Sequence, residues 1–123
     1  MEANQPEVVI EGIEVIIERD LAKHKVLCEV AHNELAGFRT ATSHEVKQKR
    51  YYKTLIGGGK FNDDSLRDSI DRINVNITHF QNKCRASEES IKHHTLIVDT
   101  LTEQLKEQNG KLKKLQEYRK NNE

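Results

Sequence analysis

Residues 66–115 read LRDSIDRINVNITHFQNKCRASEESIKHHTLIVDTLTEQLKEQNGKLKKL and carry an almost unbroken heptad repeat. With Leu66 at a core position, the seam runs through Leu66, Ile70, Ile73, Ile77, Phe80, Cys84, Ser87, Ile91, His94, Val98, Leu101, Leu105, Gln108, Leu112 and Leu115. All but Ser87, His94 and Gln108 are apolar, whereas outside the seam the stretch offers only Val75, Ala86, Leu96 and Ile97. That contrast is what a coiled-coil seam requires, because one narrow apolar stripe must face one neighbouring helix.

Gly57-Gly58-Gly59 lies on the N-terminal side of the seam and is the clear break in the chain. Three glycines stop a helix and permit the left-handed dihedrals of a reversal. Asn62 followed by Asp63 and Asp64 is a suitable cap and acidic first turn for the helix beyond. Earlier still, apolar residues recur at helical spacing from Val8 to Phe38 and again through Val46, Tyr52, Leu55 and Ile56. The expected fold is therefore all-α: a single coiled-coil domain of two long helices in an antiparallel hairpin. Arm one covers about residues 6–56, the turn 57–61 and arm two about 62–119. Gly37, Thr40, Thr42 and Ser43 are poor mid-helix residues, which makes 37–43 a candidate kink. Thr42–Glu45 and Thr100–Glu103 both match the S/T-x-x-E capping box, and Met1–Gln5 and the terminal KNNE are expected to fray.

Composition agrees with a narrow seam. Of 123 residues, 33% are charged and 35% hydrophobic, and Trp is absent, which suits a two-helix interface better than a deep globular core. The net charge is zero, so no overall field attracts a polyanion. The charge is unevenly placed: residues 1–37 hold eight acids against three bases, and residues 38–60 hold one acid against six bases. Folding at the glycines sets Lys47, Lys49, Arg50 and Lys53 beside Asp63, Asp64, Asp68 and Asp71. It also sets Glu7, Glu11, Glu14 and Glu18 beside Lys106, Lys111, Lys113 and Lys114. Such complementarity selects orientation even where each exposed pair contributes only about 0–1 kcal/mol.

The predicted hairpin core on arm two is Leu66, Ile70, Ile73, Ile77, Phe80, Ile91, Val98, Leu101, Leu105 and Leu112. Arm one contributes Ile10, Ile17, Leu21, Cys28, Ala31, Leu35 and Phe38, interrupted by Glu14 and His24. Beside that seam runs a second stripe, Val9, Ile13, Ile16, Leu27 and Val30. A helix with one neighbour needs one stripe, so the second marks a partner-binding face, with a further copy of the chain as the expected occupant.

Three other constellations bear on function. His24 and His94 fall in nearby core layers, where they could titrate near neutral pH, hold a metal or set the register as a polar layer. Glu29-Val-Ala-His32 has the Glu-x-x-His spacing of bundle metal sites but lacks a second such pair. Lys47, Lys49, Arg50 and Lys53, interleaved with Tyr51 and Tyr52, form an alternative surface for nucleic acid or acidic lipid. No phosphate loop, nucleophile elbow or paired carboxylates point to an enzyme, and neither a cofactor nor a metal is implied. Cys28 and Cys84 are too few for a disulfide framework, and the Asn76-Ile77-Thr78 sequon is expected to be unglycosylated.

The expected role is a structural interaction module: a scaffold, tether or assembly element acting through helix–helix contacts. Expected partners are a second copy, giving a homodimer, or other coiled-coil proteins of a larger assembly. The acidic N-terminus and the absence of a long apolar run predict no membrane span. They place the protein in the cytoplasm or elsewhere inside the cell, with cytoskeletal association open.

Overall fold

A computed structural model describes residues 5–122 of the chain. Two helices account for nearly all of it, α1 at Gln5–Leu55 and α2 at Asp63–Asn121, and no strand occurs among the described residues. The helices pack against each other as a hairpin. Packing divides into two compact units: one spans Val30–Ile91, and the other joins α1 up to Glu29 with α2 from Lys92 onward.

The Val30–Ile91 unit contains the turn. Gly57 and Gly59 adopt φ of 81° and 74°, the left-handed region where a side chain is strained. The Gly58 N–H closes the end of α1 on the Leu55 carbonyl at 3.2 Å, and the Gly57 N–H donates to Asp63 Oδ1 at 3.0 Å. Asn62 caps α2 as its position implied: its side-chain oxygen accepts the Ser65 N–H, and its carbonyl accepts the Leu66 N–H, both at 3.1 Å. Behind the turn, Leu66, Ile70 and Ile73 of α2 are buried, as are Ala31 and Leu35 of α1. Ile77, Phe80, Cys84 and Ile91 are half-buried along the same seam. Ser87, a polar interruption of the heptads, is only 4% exposed, so the seam continues through it as a small residue.

In the other unit Ile17 is buried, while Ile10, Leu21, Cys28, Val98, Leu101, Leu105 and Leu112 are half-buried. Glu14 occupies a core position of α1, and its Oε1 is buried without a hydrogen-bond partner. An unmet buried acceptor costs about 1–3 kcal/mol. Glu14→Leu, which continues the apolar seam, is expected to raise stability by about 1–2 kcal/mol, read as an increased urea midpoint.

Several local expectations are corrected. α1 runs without a break through 37–43, so no helix restarts at the Thr42–Glu45 capping pattern, and Thr100 lies within α2, as its place amid the seam implied. Thr40 and Thr42 instead donate their hydroxyls to the carbonyls of Ala36 and Phe38, at 3.0 and 2.8 Å. Thr100 does the same to Leu96, at 2.9 Å. This i−4 back-bonding lets threonine sit within a helix instead of starting one. α1 already includes Gln5 and α2 extends to Asn121, while Met1–Asn4 and Glu123 lie outside the described residues.

The expected charge ladder is also replaced. Among the described residues no ion pair joins Lys47, Lys49, Arg50 or Lys53 to Asp63, Asp64, Asp68 or Asp71. Asp63 holds the turn, and Asp64 pairs with Arg67 on its own helix at 3.7 Å. The pairs between helices are Arg39–Glu88 at 3.6 Å in one unit and Glu7–Arg119 in the other. Glu7 receives a two-pronged grip: Arg119 Nη2 is 2.9 Å from Oε1, and Nη1 donates to Oε2 at 3.1 Å. A planar guanidinium matches both carboxylate oxygens at once, so this pair is better defined than a contact between flexible lysines and acids.

Candidate docking surface on the first helix

The residues of the second stripe each lie one position before the seam that faces α2: Val9 before Ile10, Ile16 before Ile17, Leu27 before Cys28, Val30 before Ala31. One helical step turns the side chain by about 100°, so the stripe presents a separate face of α1. Val9 is 59% exposed, Ile13 38%, Ile16 58%, Leu27 36% and Val30 45%, whereas Ile17 on the neighbouring row is 7% exposed. α2 therefore covers one row of α1 and leaves the other to solvent. Val15 and Val26, exposed on the far flank, widen the apolar surface. These residues form a row at helical spacing on one face, unlike the singly scattered apolar residues common on protein surfaces.

The remaining candidates sort differently. Lys47, Arg50 and Lys53 are exposed and Lys49 is half-buried, so most of the basic segment faces solvent. Glu29 and His32 are both exposed. No group of three or more His, Cys, Asp or Glu side chains gathers as a metal-ligand set among the described residues.

His24 and His94 are brought together. Their Nδ1 atoms lie 2.9 Å apart, and the rings are tilted by 37° with centroids separated by 5.1 Å. Such a bond needs one Nδ1 carrying a proton and the other without one, so it survives only while at least one ring is neutral. His93 stacks edge-on against His94, and Cys28 Sγ lies 3.6 Å from Thr95 Oγ1 beside the pair. Desolvation, followed by the charges of His93 and then His24, holds His94 below the ordinary imidazole range.

The sign of the consequence follows from proton uptake. The unfolded chain binds a proton at His94 at a higher pH than the folded chain does. Stability is therefore complete above about pH 6.5 and is lost as the pH falls from there towards the lowered folded value. Thermal melts between about pH 8 and pH 5 should show this decline, and His94→Leu should flatten the part that His94 contributes.

Sequence reasoning missed the Glu7–Arg119 clamp, because it set Glu7 among the acids facing Lys106, Lys111, Lys113 and Lys114. The place of Arg119 one heptad step beyond Leu112 was the available signal, and the structure half-buries it. In comparisons with known proteins, no family model, no curated protein and no solved structure matches this chain.

Proposed function

We propose that the protein is a helix–helix interaction module, serving as a scaffold, tether or assembly element whose docking face is Val9, Ile13, Ile16, Leu27 and Val30. The observation that carries this reading is the doubled apolar surface of α1, with one row covered by α2 and the adjacent row exposed at heptad spacing. Burying an aliphatic side chain of this size contributes about 1.5–3 kcal/mol, so a partner helix gains most of its binding energy from this row. No described helix is long and apolar enough to cross a membrane, so the row is not part of a membrane-spanning helix.

The test is Ile16→Asp combined with Leu27→Asp in the full chain. Both positions are exposed, so helicity and the melting temperature should stay close to those of the parent. Association with itself or with another helical protein should be lost, as read by sedimentation velocity. Association that survives the double substitution, or a parent chain that associates with nothing, overturns the reading.

A second reading is supported by the exposure of Lys47, Arg50 and Lys53, which form no ion pair with an acid of α2 among the described residues. These cations, with Tyr51 and Tyr52 between them, are suited to phosphate contacts and stacking on a single strand. Low-salt binding to a short single-stranded oligonucleotide, abolished by Lys49→Glu with Arg50→Glu, is the expected result. No binding even at low salt removes this reading.

A further inference from the structure

The exposed row of α1 has two gaps, and their chemistry identifies what covers it. Between Ile16 and Leu27 the heptad spacing continues through Asp20 and Lys23. The row from Ile13 to Val30 thus advances by alternating steps of three and four residues with one acid and one base at its centre. Both charged residues are exposed, and among the described residues neither is engaged in an ion pair. An isolated helix bearing two unpaired charges in an apolar row is poorly suited to an apolar partner, because each charge would be desolvated without compensation.

We infer that the occupant is a second copy of this chain, its α1 running antiparallel, with Asp20 of each copy paired to Lys23 of the other across a two-fold axis between residues 21 and 22. This rests on the docking face proposed above and adds the partner, orientation and register. With Asp20 opposite Lys23, Ile16 falls opposite Leu27 of the second copy and Ile13 opposite its Val30. From Ile13 to Val30 every layer is then apolar against apolar or acid against base, while Val9 at the end of the row falls opposite Glu34. A two-fold axis repeats each layer, so one match on the sequence becomes two in the dimer.

The alternatives fail on the same residues. A parallel, in-register pair sets Asp20 against Asp20 and Lys23 against Lys23, and like charges in one layer are repulsive. Sliding the antiparallel pair by one heptad sets Asp20 against Ile16 in one direction and against Val30 in the other. The charges then choose the register and direction while the aliphatic side chains supply the affinity, as polar core residues do in coiled coils. Since the row lies about one helical step from the seam that α2 covers, both contacts can be made at once.

Charge reversal in the full chain tests the proposal by sedimentation equilibrium up to about 100 µM, a hundredfold above a micromolar Kd. The parent chain should be a dimer. Asp20→Lys alone places lysine against Lys23, and Lys23→Asp alone places aspartate against Asp20. Each acts twice across the axis, so each should weaken the dimer by about tenfold or more. The double variant Asp20→Lys with Lys23→Asp restores opposite charges in both layers and should return Kd to within about threefold of the parent. Circular dichroism of each variant checks that the helices persist.

A dimer indifferent to the single reversals overturns the antiparallel register, and a dimer not restored by the double reversal does the same. If that dimer is nonetheless lost with Ile16→Asp, the docking face itself still stands. A parent chain that remains monomeric overturns the second copy as occupant and leaves the face to a different helix. A dimer that survives both the reversals and Ile16→Asp removes the docking face as well.

Discussion

Ile73→Ala should lower the unfolding free energy of the hairpin by about 2–5 kcal/mol. Ile73 is only 5% exposed, the most deeply buried large side chain of α2, and lies in the same seam as buried Leu66 and Ile70. Truncation removes the transfer free energy of its outer carbons and leaves a cavity that two stiff helices cannot easily close. A loss of that size is a large fraction of the 5–15 kcal/mol typical of a folded domain, so partial unfolding at physiological temperature is expected. Urea titration followed by far-ultraviolet dichroism measures it. Val75→Ala, two residues along the same helix but 69% exposed, is the control and should change stability by no more than about 0.5 kcal/mol. Equal effects at the two positions would falsify the seam assignment.

Replacing Gly57 and Gly59 together with valine should cost about 2–4 kcal/mol, since each must hold a β-branched residue at positive φ. An added Cβ meets nothing within 4 Å at either glycine, so the cost comes from the backbone and not from crowding. If the chain relieves the strain by changing φ at residue 57, it gives up the bond from that N–H to Asp63 Oδ1. Gly58 separates the two effects: its φ is not left-handed, and an added Cβ would sit 3.4 Å from the Leu55 carbonyl oxygen. Gly58→Ala should therefore be near neutral, with the reduced freedom of the unfolded chain offsetting a tight contact. Comparing the melting temperatures of the two variants decides the matter; a Gly58→Ala loss as large as the valine pair would show that the turn resists any side chain.

Most of the fold was legible because its signals are local or strictly periodic. The heptads of residues 66–115 identify a helix and the face it buries, and Gly57–Gly59 followed by Asn62 identify a reversal and a cap. None of these needs knowledge of a distant residue. The Thr42 capping pattern and the charges were misread for the opposite reason. Thr42 and Thr100 satisfy a capping pattern in sequence, yet each has a carbonyl four residues earlier within reach once the helix exists. A long charged side chain has several partners within its radius, so the sequence distribution constrains net complementarity but not which atoms meet.

The exposed row of α1 shows the same division. The sequence already assigned Ile17 to the hairpin seam and Ile16 to a separate stripe, but how far α2 covers each row is a property of the packing, which buries Ile17 and leaves Ile16 at the surface.

By itself, then, the sequence determined that this protein is two helices joined at three glycines, and which residues form apolar rows, because helical period and glycine conformation are properties of neighbours along the chain. Tertiary structure alone decided how far each row is buried, that His24 and His94 share a hydrogen bond, and that Arg119 rather than a lysine grips Glu7. Those outcomes depend on the register between residues many positions apart. That register is set when many side chains pack at once, and no short-range signal carries it.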